Sequence, residues 1–132
     1  MRIFILIVGF LTCFSLSAQE ISQFLQYNGR YDYVAFGNTM NIGENTGNGT
    51  PCEILTASSA AFALQPGQNI VAAHLYWSGV GSGDFEVNFR GNTITAERTF
   101  QFTLSEGFDY FGAYADVTDI VQSIGNANYG LA

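Results

Sequence analysis

Hydrophobic and polar positions alternate along most of this chain, and the period is two. Phe85, Val87 and Phe89 are separated by Glu86 and Asn88, the pattern of a strand with one face in water. Over residues 94–104 one row reads Ile94, Ala96, Arg98, Phe100, Phe102 and Leu104, and the other Thr95, Glu97, Thr99, Gln101 and Thr103. That predicts one long strand with its aromatic row buried. Arg98 then belongs at the rim, paired with a carboxylate, because an unpaired buried charge is prohibitive. Residues 69–77 (NIVAAHLYW) are almost continuously apolar, which predicts a strand covered on both faces. Tyr31, Tyr33 and Ala35 alternate with Asp32, Val34 and Phe36, a further strand, with Asn28-Gly29 as a tight hairpin turn before it. Residues 53–63 fit a short strand and turn, and residues 110–115 an aromatic strand.

The breaks between these runs carry turn chemistry. Gln65-Pro66-Gly67-Gln68, the glycine-rich residues 78–84 and Gly91-Asn92 are connections. Residues 38–51 (NTMNIGENTGNGTP) form a long aperiodic loop, a length usually reserved for functional or mobile segments. One stretch departs from period two. Residues 117–123 read as a single short helix, with Asp116 or Thr118 able to cap its amides and Gly125 to end it. A strand begins again at Tyr129. Seven or so strands, one short helix and regular turns predict an all-β fold, an antiparallel β-sandwich of jelly-roll type. Because the last strand begins so close to Ala132, the domain spanning residues 19–132 is expected to be truncated at its C-terminal end. That leaves an unpaired edge and a hazard of dimerisation or aggregation.

Composition supports a packed domain: 48% of the 132 residues are hydrophobic and only 11% charged, the reverse of a disordered chain. There is no Lys, and four Arg against eleven Asp and Glu give a net charge of −7. Such a surface repels phosphate backbones, so nucleic acid is not an expected partner.

The first eighteen residues have the parts of a secretory signal peptide. Arg2 supplies the positive start, residues 3–16 the uncharged apolar stretch, and Ser15-Leu16-Ser17-Ala18 a small-residue exit. The apolar stretch falls short of the ~20 residues of a membrane span. Cleavage is expected after Ala18, giving a secreted or cell-surface product with no membrane insertion. A lipoprotein signal at Cys13 is the rival, but Phe10-Leu11-Thr12 before it matches poorly. After cleavage Cys52 is the one remaining cysteine, so no internal disulfide framework is expected.

With the elements placed, a resemblance emerges. The strand Ala72-Ala73-His74-Leu75-Tyr76-Trp77-Ser78-Gly79 resembles an "A-x-LYW-x-G" strand near the start of large adhesin-like surface proteins of gliding Gram-negative bacteria. The following Val87-Asn88-Phe89-Arg90-Gly91-Asn92-Thr93-Ile94-Thr95-Ala96 is similar to their "V-x-x-x-G-x-x-I-x-A". Residues 110–121, from Tyr110-Phe111 through Asp116-Val117-Thr118 to Ile120-Val121, are similar to "Y-F-x-A-x-A-D-V-T-x-x-V". The resemblance implies a gliding-motility-associated parent protein exported through the inner membrane and then by type IX secretion, of which this chain is an N-terminal fragment without a C-terminal sorting domain. A looser likeness to galactose-binding-like jelly rolls rests on the Asp116-Val117-Thr118 corner and Gly125-Asn126. Those folds often bind sugars, and fold alone does not confer function.

Catalytic chemistry finds little footing. His74, the sole histidine, lies in the most apolar strand and is expected to be held by a hydrogen bond there. A Cys52–His74 pair lacks a recognisable nucleophile context. The carboxylate pairs Asp84/Glu86 and Asp116/Asp119 could serve a glycosidase only if they faced each other across a cleft, and Asp116 and Asp119 are better placed to favour a helix start. Zinc is not expected with so few ligands. A structural calcium is possible through Glu44, Asp84 and Glu86; no other cofactor is expected. Tyr27, Tyr31 and Tyr33 could join a sugar-stacking platform, for which Tyr76, Trp77, Tyr110 and Tyr114 are the main ligand-binding candidates. Asp116, Thr118 and Arg98 are expected to be structural. The expected function is therefore a non-enzymatic structural or adhesion module with surface glycans or other surface proteins as partners. The alternative is a carbohydrate-binding module.

Overall fold

The computed structural model describes residues 23–43 and 53–132. The signal peptide, Cys13, Glu44 and Cys52 lie outside the described residues. The chain divides into two compact units, Met1–Tyr33 and Val34–Ala132, and every strand described belongs to the second.

Among the described residues seven strands and one helix follow in the order β1 (Ser58–Phe62), β2 (His74–Val80), β3 (Glu86–Phe89), β4 (Asn92–Thr95), β5 (Arg98–Thr103), β6 (Asp109–Asp116), α1 (Thr118–Ile124) and β7 (Ala127–Leu131). They form two antiparallel sheets, β1-β7-β3-β4 and β2-β6-β5. The fold is thus the expected all-β sandwich, with one short helix among the described residues.

The pleat sorts side chains into an inner and an outer row on each sheet. In the four-stranded sheet Phe62, Phe89 and Tyr129 point inward and, with Val121 of α1 and Val117 at its N-cap, make the buried core. Leu75 of β2 packs against that cluster from the other sheet. The inner row of β6 is small, with Ala113 and Ala115 fully enclosed, and a Cβ at Gly79 would come 2.8 Å from the Phe111 ring. The missing side chain at Gly79 thus leaves room for the ring of its cross-strand neighbour in the same sheet, Phe111.

The helix begins one residue after Val117 and ends at Gly125, whose φ of 70° is the left-handed conformation glycine tolerates. The predicted capping is realised in a modified form. Asp116 precedes the N-cap position, and its carboxylate accepts the Thr118 N–H at 2.8 Å. Thr118 does not cap the helix; its hydroxyl accepts the Ala73 N–H at 2.9 Å.

Four local expectations are corrected. The strand over Tyr31–Phe36 and the hairpin at Asn28-Gly29 are absent: residues 31–36 have no strand pairing, and Tyr33 is 89% exposed. Alternation alone cannot make a strand without a neighbour to complete its ladder. Phe36 nevertheless stacks on Phe62 at 5.1 Å between centroids. Residues 69–73 are not strand, and β2 is not covered on both faces, since Tyr76 and Val80 are exposed. The turn between β3 and β4 is Arg90-Gly91, one residue earlier than expected, with φ of 54° and 82°, the signature of a two-residue type I′ hairpin.

The fourth correction has the largest consequence. The long strand of residues 94–104 is two strands in two sheets. Ala96 N–H bonds the Phe85 carbonyl, and Glu97 N–H bonds the Tyr114 carbonyl, so the chain crosses between layers at this peptide. Tyr114 is already the register partner of Arg98. Two residues therefore oppose one, a β-bulge, and a bulge shifts the alternation by one position. Ile94 packs on the core, whereas Phe100 and Phe102, of the same parity, stand outward and exposed.

Candidate functional site

The outer face of the three-stranded sheet is read from its register. Tyr114 lies between Tyr76 and Arg98, Gly112 between Ser78 and Phe100, and Tyr110 between Val80 and Phe102. These residues share one side. Leu75, Trp77, Phe111, Ala113 and Ala115 share the other, toward the opposing sheet. Tyr76, Val80, Phe100, Phe102 and Tyr110 are all exposed large side chains, Tyr76 at 67% and Phe102 at 66%. The four-stranded sheet presents Ser59, Glu86, Asn88, Thr93, Thr95 and Asn128 in the equivalent outer positions. One outer face is aromatic and the other polar.

Of the four aromatic candidates, Tyr76 and Tyr110 are brought together on this face. Tyr114 shares the face but is buried; its ring lies 5.1 Å from Tyr76 and its hydroxyl 3.0 Å from His74 Nδ1. His74 thus has the hydrogen bond expected of it. Trp77 is excluded by parity. It faces the other way, and its Nε1–H donates to the Asp84 carbonyl at 2.7 Å. Phe100, Phe102 and Val80 complete the surface and are not among the candidates the sequence offered, because the bulge that turns the two phenylalanines outward has no marker in the alternation itself.

Arg98 stands exposed at the start of β5, as a rim residue should, with its guanidinium 5.3 Å from the Phe100 ring. The contact is a cation–π interaction that keeps the charge in water. Asp84 and Glu86 flank the start of β3, and among the described residues no three His, Cys, Asp or Glu side chains converge on a point. At the turn end of the β5–β6 hairpin a recess of about 210 Å³ is lined by Ser82, Gln101, Phe102, Thr103, Asp109 and Tyr110. Its polar groups satisfy one another: Gln101 Nε2 donates to the Ser82 carbonyl at 2.7 Å, and the Thr103 hydroxyl donates to the Asp109 carboxylate at 2.6 Å. Asp109 is the one carboxylate in the lining, which leaves the recess without the facing pair that glycoside hydrolysis requires.

At the opposite end of the sheet, the side-chain and backbone hydrogen bonds from Thr118 hold the Asp116 carboxyl below the usual carboxylate range, and the charge of His74 acts in the same direction. A depressed pKa means stability that is present above the unfolded value and lost as pH falls through the folded one. Thermal melts are therefore expected to fall as pH drops below about 4. Asp116→Asn, which keeps the acceptor oxygen, should flatten that fall; an unchanged slope would show that the Asp116–Thr118 bond does not couple to folding.

Among the described residues no helix is long and apolar enough to cross a membrane. Comparison of the chain with protein-family models, with curated proteins and with solved structures returns no match.

Proposed function

We propose that this chain is a non-enzymatic extracellular structural and adhesion module, the exported N-terminal part of a cell-surface protein, and that it holds its partner on the outer face of the three-stranded sheet. The observation that carries this reading is the contiguous exposed row of Tyr76, Val80, Phe100, Phe102 and Tyr110. Apolar surface in water is costly, and contiguous exposed patches mark contact sites. The signal-peptide pattern of residues 1–18 and the resemblance of the β2, β3–β4 and β6–α1 segments to adhesin-like surface proteins support an extracellular setting. The acidic balance of the chain favours neutral or cationic partners over anionic ones.

A second reading, carbohydrate binding, is favoured by the presence of the Tyr76 and Tyr110 phenols in the same row. Aromatic faces cover the apolar side of a sugar ring, and phenolic oxygens hydrogen-bond its hydroxyls.

One experiment separates the two. Immobilised protein is presented with intact bacterial cells and with a glycan panel, and retention is compared with that of Tyr76→Ala and Phe102→Ala. Each exposed ring is expected to be worth about tenfold in affinity, with stability changed by no more than about 0.5 kcal/mol. Competition by soluble sugars selects the carbohydrate reading. Retention by both variants equal to the parent would remove this face as the contact surface.

A further inference from the structure

We propose that the free edge of β5 is a self-association site, at which two copies of this chain pair antiparallel about a twofold axis through Gln101. Among the described residues β5 pairs with β6 alone, so its other side is a sheet edge. All of its residues, Arg98 to Thr103, are exposed. Edges of this kind are normally blunted by Lys, Pro or inward charge, and β5 carries only Arg98, at its first position.

The backbone fixes which groups the edge offers. At the hairpin, Leu104 N–H donates to the Phe108 carbonyl at 2.9 Å. Antiparallel ladders alternate bonded and non-bonded pairs. Counting back by twos, Phe102 and Phe100 direct their peptide groups toward β6, while Thr99, Gln101 and Thr103 direct theirs to the open side.

The sequence of residues 99–103 is Thr-Phe-Gln-Phe-Thr, the same in both directions. Antiparallel pairing centred on Gln101 therefore sets Gln101 opposite Gln101 of the second copy, Thr99 opposite Thr103, and Phe100 opposite Phe102. This register meets two independent demands. It makes Gln101 and the threonines, whose peptide groups face the edge, the hydrogen-bonded pairs. It also joins like faces, because it pairs odd positions with odd and even with even. Phe100 and Phe102 then fall in non-bonded pairs, where cross-strand side chains lie closest, and the outer aromatic face continues unbroken from one copy to the other. A twofold contact must be self-complementary in this way. The occupant is a second copy of this chain, identified by the palindrome about Gln101.

The test uses the whole chain and does not depend on the adhesion reading, since Gln101 points to the side opposite the aromatic row. Sedimentation equilibrium is expected to report a dimer. Gln101→Pro removes the N–H that faces the edge and leaves the β5–β6 bonds in place. It should weaken dimerisation about thirtyfold, through the loss of both central hydrogen bonds. Gln101→Ala, which loses the bond to Ser82 but keeps the N–H, should remain dimeric. In a chain with Cys13 and Cys52 replaced by serine, Gln101→Cys should form an intermolecular disulfide in oxidising solution, because bonded pairs lie about 5.5 Å apart at Cα. Thr93→Cys, on the other sheet, is the control. A monomer at the highest soluble concentration, including one that pairs only with a strand of another protein, overturns the proposal. So does a dimer that survives Gln101→Pro. Should Gln101→Pro lose its far-ultraviolet circular dichroism, the disulfide decides: no excess over the Thr93→Cys control refutes the pairing.

Discussion

Replacing Tyr129 with alanine is expected to cost about 4 kcal/mol of stability, the largest effect of any single truncation in this chain. The ring is fully buried on the inner side of β7. It stacks on Phe89 at 5.6 Å and meets Phe62 edge-on at 6.1 Å. The Arg90 guanidinium lies over the ring at 5.6 Å. The hydroxyl donates to the Gly125 carbonyl at 2.7 Å, beside the carbonyl of Val121 at 3.4 Å. Tyr129 thus joins the sheet to the end of α1, where helix carbonyls lack intrahelical donors. Alanine removes the ring and leaves a cavity between two aromatic neighbours. For a domain with marginal stability the variant should populate the unfolded state at room temperature. Tyr129→Phe isolates the hydroxyl and should cost about 1 kcal/mol. Urea titration of both variants checks the pair. An alanine variant less than about 1.5 kcal/mol below the parent would mean that the core collapses around the missing ring.

Thr118→Val is expected to lower stability by about 2 kcal/mol despite its near-identical shape. The reason lies where β2 and β6 stop pairing. Their register ends at His74–Asp116, and the next contact is Val117 N–H to the Ala73 carbonyl at 3.0 Å. A continued ladder would need a backbone acceptor for the Ala73 N–H, but by then the chain has turned into the helix. The Thr118 hydroxyl takes that place. Valine leaves a part-buried amide without its acceptor, and a buried unsatisfied donor costs more than the hydrogen bond contributed. Thr118→Ser restores the oxygen and should recover most of the loss in the same titration. If serine and valine are equally destabilised, the methyl group and not the hydroxyl is what the corner requires.

Much of this was legible in the sequence, for reasons particular to each segment. The rows at Phe85–Phe89 and Tyr110–Ala115 marked strands because one side of each contacts the core. The helix was visible as the one place where period two failed and Gly125 offered a stop. The Asp116–Thr118 corner was recognised as structural, though with the roles of its two side chains distributed differently. The exposure of Tyr76 and Tyr110 on one face was not legible. Trp77 was not separable from them, since neighbouring residues on a strand look alike until the register assigns each a side.

The sequence by itself determined that the chain is built of strands with one short helix after Asp116, and within each uninterrupted strand which residues share a row, because both follow from the local geometry of the chain. Only the tertiary structure decided which row meets water. That choice is made by the partner strand, and in β5 by a bulge at Glu97–Arg98 whose existence depends on Tyr114, a residue distant in sequence but adjacent across the sheet. A shift of one position exchanges every inward side chain for an outward one. The same Phe100 and Phe102 that read as core from their alternation therefore stand on the surface, beside Tyr76 and Tyr110.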